Sequence, residues 1–110
     1  MSEIVIKTKR LKLKLEGSFF NMYLQGKYIG YIRLSTPNIA WKCEKEYRNQ
    51  GYTTEAAQAI INYSFRNNTY KIISAVCFRN HKASERIMQK IGMKNISVPE
   101  INMTRYEIRK

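Results

Sequence analysis

The chain has 110 residues, and its 20 Lys and Arg side chains against 8 Asp and Glu leave a formal net charge of +12 at pH 7. A hydrophobic content of 44% and a charged content of 25% indicate one globular domain and exclude a collagen-like, low-complexity or disulfide-rich chain. Such a positive charge attracts anions, whether nucleic acid, acidic lipid or a phosphorylated cofactor. Because the basic residues are spread along the chain, their number does not decide between these ligands.

The sequence predicts neither a membrane helix nor a secretory leader. No stretch approaches the roughly 20 apolar residues that a membrane-spanning helix needs, and charged residues interrupt the N-terminal segment throughout. Cys43 and Cys77 are predicted to be free, buried thiols, because two separated cysteines and a single histidine do not supply a zinc site. We therefore expect a cytoplasmic protein that binds no metal and no membrane.

The N-terminal half predicts four strands. Residues 4–15 alternate for much of their length between apolar and basic side chains, which predicts a half-buried strand with a basic outer face. Three further strands are predicted at 19–25, 28–35 and 39–46. The connections between these strands are short, and the last contains the break Thr36-Pro37-Asn38, so we expect an antiparallel meander.

The C-terminal half predicts two helices and further strands. Apolar residues recur at helical spacing from Thr54 to Asn67, which indicates an amphipathic helix. The apolar run at 70–78 predicts a strand buried on both faces, and 82–91 predicts a second amphipathic helix. Closing strands are predicted around Pro99, at 96–98 and 102–109. The whole chain is thus expected to be one mixed α/β domain.

The turn before the first predicted helix has the features of an anion site. Gly51 stands between strand and helix, with Arg48 before it and Thr53 and Thr54 after it. The first N–H groups of a helix have no intrahelical acceptor, and with the helix dipole they attract anions. Glycine permits the bend and the close approach, and Arg48 would add a two-pronged donor. An ordinary capped turn explains the same residues, so the turn alone leaves both interpretations open.

The surrounding sequence resembles the GNAT family of acyl-CoA N-acyltransferases, in particular its RimJ/RimL-like branch. Residues 48–53, RNQGYT, are similar to the family signature Q/R-x-x-G-x-G/A and continue with TEA, and residues 83–93, ASERIMQKIGM, are similar to the branch's second helix. The resemblance implies a mixed, mostly antiparallel sheet flanked by two helices, in a single minimal domain 1–110. It implies an acyl-CoA-binding core at about 39–93, with acetyl-CoA as co-substrate and an amine as acceptor.

The resemblance also implies a set of site residues. The cofactor would be held by Cys43, Arg48, Asn49, Gln50, Gly51, Tyr52, Thr53, Thr54, Asn80, His81 and Arg86. An amine would attack the thioester directly, with its carbonyl polarised by a backbone N–H of the fourth strand. Glu44, Glu46 and His81 are the candidate bases, and His81 is the chain's one histidine, the residue type that changes charge near neutral pH. Each of the three also has a structural interpretation, as an exposed strand residue or a helix cap.

Several residues depart from the family pattern. Thr53 stands where the signature ends in Gly or Ala, and His81 stands where the branch carries an Asn, which is found one residue earlier as Asn80. Met88 occupies the position of a tyrosine that serves other GNAT groups as general acid. Lys82, Arg86 and Lys90 share a helical face, and they either bind phosphate or form a solvated basic face.

The largest departure is the link Glu16-Gly17-Ser18, which replaces the helices that separate the first two strands in the family. Three explanations stay open: a large acceptor on an open surface, a second subunit that completes the site in a homodimer, or loss of catalysis. Four aromatic residues of the meander would flank an acceptor cleft or form ordinary cross-strand pairs: Tyr23, Tyr28, Tyr31 and Trp41.

The sequence therefore predicts an N-acetyltransferase that acts on a protein N-terminus, a peptide or a small amine. The main alternative is a CoA-binding module without turnover. A basic nucleic-acid-binding protein is a further alternative, which we do not expect, because the aromatic residues do not interleave with basic clusters along the chain.

Overall fold

Alternating apolar residues in the N-terminal half form five strands of an antiparallel meander. A computed structural model of the chain describes residues 3–35, 37–98 and 102–110. The strands of the meander are β1 (Val5–Lys7), β2 (Lys12–Glu16), β3 (Phe19–Leu24), β4 (Lys27–Ser35) and β5 (Asn38–Cys43). A short 3-10 turn, Lys45–Tyr47, follows β5.

The C-terminal half adds two helices and three strands to the same sheet. They are α1 (Tyr52–Arg66), β6 (Ile72–Phe78), α2 (Lys82–Lys90), β7 (Lys94–Asn95) and β8 (Met103–Arg109). The eight strands are ordered β1-β2-β3-β4-β5-β6-β8-β7, and β5 and β6 run parallel while the other neighbours run antiparallel. The predicted α/β fold, a mostly antiparallel mixed sheet with two helices, is confirmed.

Several details of the predicted strands are wrong. Residues 4–15 form two strands rather than one, because Thr8 N–H donates to the Leu11 carbonyl at 2.9 Å and closes a turn. The fourth strand ends at Cys43 rather than at residue 46. Residues 96–98 form no strand, and the short strand before them is β7. Thr36, in the predicted break, and Pro99, between the closing strands, lie outside the described residues.

Both helices pack on the same face of the sheet. Cross-strand partners share a face, and the partners Leu13 and Met22 are fully buried beneath α1, whose Ile60 and Ile61 are fully buried as well. Helix α2 packs against β8 on the same face, and the Tyr106 hydroxyl donates to Glu85 Oε2 at 2.9 Å. The fully buried aliphatic side chains lie between the sheet and the helices, so this face holds the core. Each of them contributes roughly 1.5–3 kcal/mol to folding.

The opposite face of the sheet, which we call the open face, has no helix against it among the described residues. The prediction that β6 is buried on both faces is therefore wrong for its second half. Ile73 and Ala75 point to the helices and are buried, whereas Val76 and Phe78 point to the open face and are 49% and 70% exposed. Nothing in a continuous apolar run reveals which face lacks a cover.

The parallel strands β5 and β6 separate from each other. Their register pairs one residue of each, Asn38 with Ser74, and the Ser74 hydroxyl donates to Asn38 Oδ1 at 2.6 Å. Beyond this point the described residues of β5 and β6 do not pair, so the sheet splits towards Cys43 on one side and Phe78 on the other. This split, which we call the gap, positions the candidate site.

Candidate functional site

A cleft of about 760 Å³ lies at the gap, within the range of roughly 300–1,000 Å³ that is typical of small-molecule sites. The end of β5, the turn after it and the first residues of α1 form one side. His81 and the face of α2 that carries Arg86 and Lys90 form the other. The cleft is thus built from the carboxyl end of a strand and the amino ends of two helices.

The amino end of α1 presents unpaired N–H groups to this cleft. The first helical hydrogen bond runs from Glu55 N–H to the Gly51 carbonyl at 3.0 Å. The N–H groups of Tyr52, Thr53 and Thr54 precede it, so they have no acceptor within the helix. Within the described ranges no side chain caps this end, and all three residues line the cleft. With the helix dipole, these groups suit an anion such as a diphosphate.

Gly51 adopts a conformation that side chains resist. Its φ of 83° lies in the left-handed region, where an L-residue costs about 1–2 kcal/mol. A Cβ at this position would also lie 3.3 Å from a guanidinium nitrogen of Arg10. Asn49 has a positive φ of 62° as well, so the turn is tightly curved on both sides of Gln50. The glycine is required here for the shape of the helix start.

Arg10 holds this helix start from the first hairpin, and sequence reasoning missed it. Its Nε lies 2.7 Å from Glu55 Oε1, its backbone N–H donates to Glu55 Oε2 at 2.8 Å, and its guanidinium donates to the Gln50 carbonyl at 3.0 Å. The guanidinium also lies over the Tyr52 ring, 4.3 Å from its centre. These contacts fix both the loop that precedes α1, through Gln50, and the first helical turn of α1, through Glu55. They join residues distant in the sequence, so no local pattern signals them.

The Glu55 carboxyl is the anchor of these contacts, and it is ionised. Burial by itself raises the pKa of Glu55. The hydrogen bonds from Thr8 and Arg10 and the charge of Arg10 lower it by more than burial raises it, so the pKa lies below its ordinary value. A carboxylate in the first turn also interacts favourably with the helix dipole. Glu55 is part of the TEA segment that resembles the family. In the structure its carboxylate holds Thr8 and Arg10 against the start of α1, beside the cleft.

At the end of β5, Cys43 faces the cleft as a thiol. Burial raises its pKa above the ordinary value, and the hydrogen bond with Thr53 and the charge of Arg48 offset only part of this rise. A protonated thiol is a poor nucleophile. Arg48 Nε donates to the Cys43 carbonyl at 2.8 Å, which connects the turn to the strand, and Arg48 also lines the cleft.

The side chain of His81, the residue that precedes α2, caps the amino end of this helix. His81 Nδ1 accepts from Ser84 N–H at 3.3 Å, so the structural interpretation of His81 as a helix cap is confirmed. His81 also lines the cleft. Of the three basic residues predicted to share a face of α2, Arg86 and Lys90 line the cleft and Lys82 does not.

The structure brings most of the predicted cofactor-binding residues together around the cleft: Cys43, Arg48, Asn49, Gly51, Tyr52, Thr53, Thr54, His81 and Arg86. Gln50 and Asn80 are not among the lining residues, and the Gln50 amide instead donates to the Glu46 carbonyl at 3.1 Å. The candidate bases Glu44 and Glu46 are exposed and lie outside the lining.

The cleft includes residues that were not predicted to contact a cofactor: Trp41, Lys42, Tyr47, Ala83, Ser84 and Ile87. The signal that would have found them is their position: Trp41 and Lys42 precede Cys43 on β5, Tyr47 precedes Arg48, and the others are neighbours of Arg86 on α2. In the part of the chain that the structure describes, no three His, Cys, Asp or Glu residues gather into a metal site, and no helix is both long and apolar enough to span a bilayer.

Comparison with known proteins gives this architecture a family. The model of the acetyltransferase (GNAT) domain matches residues 3–94. An uncharacterized N-acetyltransferase of Bacillus subtilis, YnaD, is 41% identical over 64 residues, which are 58% of this chain and 38% of that relative. This chain therefore aligns with well under half the length of that relative.

Two solved structures share the fold. An acetyltransferase of the GNAT family from Bacillus anthracis superimposes with a TM-score of 0.84 at 21% identity, covering 96% of this chain and 98% of its own. The ribosomal L7/L12 alpha-N-protein acetyltransferase RimL, solved in complex with coenzyme A, superimposes with a TM-score of 0.74 at 11% identity, covering 83% of this chain and 60% of its own. Because the family model spans most of the sequence, the chain belongs to the GNAT acetyltransferase domain family.

Proposed function

We propose that this chain binds acetyl-CoA in the cleft and transfers the acetyl group to an amine. The observation that carries the proposal is the uncapped start of α1, where three backbone N–H groups face a cleft bordered by Arg48, Arg86 and Lys90. Anionic groups of the cofactor find both backbone donors and fixed cations there. That the RimL structure contains coenzyme A supports the same assignment.

The remainder of the cofactor would lie along the gap. Beyond Asn38, the edge of β5 that faces β6 pairs with no strand among the described residues, so its backbone groups could hydrogen-bond to the amides of the cofactor's arm. When bound, acetyl-CoA supplies an activated acyl group as a thioester. The amine nitrogen forms a bond to the acyl carbon as the carbon–sulfur bond breaks, and the proton lost by the amine ends on the released thiol. No oxidant or reductant is needed.

The chain's part in this reaction is positioning and proton removal. Cys43, protonated and buried, does not serve as a nucleophile. Glu44 follows it directly, and its backbone N–H donates to the Ile29 carbonyl at 2.8 Å, so the start of the turn is fixed next to the cleft. Glu44 is the first candidate base to test, with Glu46 and His81 after it. The RimJ/RimL-like branch, the core at about 39–93, the cytoplasmic location and the homodimer stay predictions.

A CoA-binding module without turnover is the second candidate. It is favoured by the composition of the cleft, since the described residues that line it include no Asp or Glu. An acetyltransferase needs a group that removes the proton of an ammonium, either directly or through water. The two candidates agree on the cofactor and differ only in catalysis.

Calorimetry with acetyl-CoA tests the cofactor site. We expect binding by the wild-type chain and a loss of affinity of about 100-fold or more in Gly51→Trp, whose side chain would fill the anion site. Gly17→Trp is the matched control: Gly17 also has a positive φ, of 67°, but lies in the β2–β3 turn with no neighbour within 4 Å of a Cβ. Absence of binding to the wild type, or equal loss in both variants, would reject the proposal.

Release of free thiol in the presence of amines then separates the two candidates. An acetyltransferase releases thiol only when a suitable amine is present, and Glu44→Gln lowers the rate without changing acetyl-CoA affinity. A binding module shows the affinity and no amine-dependent release.

A further inference from the structure

The open face combines positive charge with aromatic rings. Cross-strand register places its side chains in rows: Lys12–Tyr23–Tyr28, Lys14–Asn21–Tyr31–Lys42 and Glu16–Phe19–Arg33–Ala40. Four of these residues are basic and one is acidic. Strands β6 and β8 continue the surface with Val76, Phe78 and Arg105. The interleaving of basic and aromatic residues that is missing along the chain is therefore produced by strand pairing.

Much of this positive charge is not neutralised within the chain. The ion pairs of the described residues join Arg10 to Glu55, Lys14 to Glu3 and Arg109 to Glu107. Within residues 3–35, 37–98 and 102–110, none of these pairs involves Lys12, Arg33, Lys42 or Arg105. These four cations are exposed on one face of the sheet, so the face carries a field that favours an anionic partner.

The gap connects this face to the cleft. Trp41 and Cys43 line the cleft from the helix side, and Lys42, between them on β5, points to the open face and lines the cleft as well. On the other side of the gap, β6 presents the exposed apolar side chains of Val76 and Phe78, which we call the apolar pair, to the same face. A group that enters the cleft from the open face therefore passes between a lysine and an apolar pair.

We propose that the open face binds the acceptor, and that the acceptor is a polypeptide whose amino end enters the gap. Its first side chain is apolar and packs on Val76 and Phe78, and acidic side chains follow it along the basic rows towards Lys12 and Arg33. The inference rests on the proposed function, which requires an amine.

Other occupants fit these observations less well. A second copy of the chain would bring the same uncompensated cations against this face, and like charges repel. Nucleic acid binds such surfaces by stacking bases on free ring faces. Here Arg33 lies over Phe19 and Lys14 over Tyr23, each 5.8 Å from the ring centre, and the rings meet one another edge-on, Phe19 with Tyr31 and Tyr23 with Tyr28. Nucleic acid also lacks an aliphatic amine to acetylate.

Fluorescence anisotropy without acetyl-CoA tests the surface independently of the reaction. The probe is a peptide of about ten residues that begins with a free valine amine followed by four glutamates and is labelled at its carboxyl end. We expect the wild type to bind it, less tightly as salt is added, and Lys12→Glu/Arg33→Glu to weaken binding at least about tenfold. The control is Arg66→Glu/Lys110→Glu, which makes the same charge change near the end of α1.

Several outcomes would overturn the inference. Equal weakening by both charge-reversal pairs would show an effect of net charge alone. Tighter binding of a single-stranded oligonucleotide or of acidic-lipid vesicles, lost in Lys12→Glu/Arg33→Glu, would assign the face to another partner. If sedimentation shows that the wild type is a dimer and that Lys12→Glu/Arg33→Glu is a monomer, the open face would be assigned to a second copy of the chain. If acetyl-CoA fails to bind the wild type while the peptide binds, the proposed function fails and the surface stands as a peptide site.

The apolar pair is tested by competition. Against the wild type, the valine peptide should bind several-fold more tightly than the same peptide beginning with serine. Phe78→Ser should remove this preference while leaving acetyl-CoA affinity unchanged. A preference that persists in Phe78→Ser would reject the placement of the first side chain.

Discussion

The two helices begin at the same cleft but in opposite ways. At the start of α1, Gly51 provides no cap, and the N–H groups of the first turn face the cleft without an intrahelical acceptor. At the start of α2, His81 accepts a hydrogen bond from Ser84 N–H and closes the helix with its own side chain. A helix end that is satisfied by its own chain has less to offer a ligand. We therefore expect α1 to bind the anionic group and α2 to contribute side-chain cations.

The two starts also differ in how they are held. The cap of α2 is local, since donor and acceptor are three residues apart. The start of α1 is held by Arg10 and Thr8, which reach Glu55 and Gln50 from the first hairpin. An uncapped helix end needs such remote support because its own residues do not fix it. Long-range contacts thus leave the backbone donors of α1 free while keeping them in place.

Among substitutions at the two helix starts, Glu55→Ala should have the largest effect on stability. It removes the carboxylate that accepts from Thr8 and from Arg10, and hydrogen bonds to charged groups contribute about 1.5–3 kcal/mol each. We expect a loss of about 2 kcal/mol or more in the free energy of unfolding measured with urea, and weaker acetyl-CoA binding. Glu16→Ala, which removes an exposed carboxylate from the open face, should change stability by no more than about 0.5 kcal/mol. Comparable losses in both variants would contradict the support role of Glu55.

The same carboxyl should make stability depend on pH. Its pKa is lowered in the folded state, so its contribution is complete above the ordinary carboxyl value of about 4.3 and is lost as the pH falls through the folded value. The stability difference between the wild type and Glu55→Gln should therefore be constant near neutral pH and shrink below about pH 4. A difference that grows in acid would reject this sign.

Gly51→Ala should have an intermediate effect. The left-handed backbone costs a side chain about 1–2 kcal/mol, and the new Cβ would press on Arg10 at 3.3 Å. Gly17→Ala carries the same backbone cost without a neighbour within 4 Å. We expect a larger loss of stability in Gly51→Ala than in Gly17→Ala, and a several-fold loss of acetyl-CoA affinity in Gly51→Ala alone. Equal affinities in the two variants would remove Gly51 from the anion site.

The smallest effect should come from His81→Ala. Loss of a cap destabilises a helix end by about 0.5–2 kcal/mol, and we expect the lower part of this range because the 3.3 Å bond is long. His81→Asn, with a better capping side chain, should recover the stability. Acetyl-CoA affinity should change less than in Gly51→Ala, and a larger loss would show that α2 rather than α1 binds the anionic group.

The sequence by itself determined the elements whose signal is local. The spacing of apolar residues located α1 and α2 to within one or two residues at each end, because helical periodicity is a property of neighbours along the chain. The segment from Arg48 to Thr54 could be identified as a candidate anion site for the same reason. Its glycine and its first helical N–H groups are adjacent in sequence.

Only the tertiary structure decided which surfaces are covered and what reaches the cleft. Arg10 is about forty residues from Gln50, and the rows of the open face join side chains from four strands, so neither could be found from spacing along the chain. Val76 and Phe78 belong to the same apolar run as the buried Ile73, and they differ only in the face to which they point. Strand register and helix placement depend on contacts between distant segments, and it is these contacts that divide the sheet into a core face and a face open to a partner.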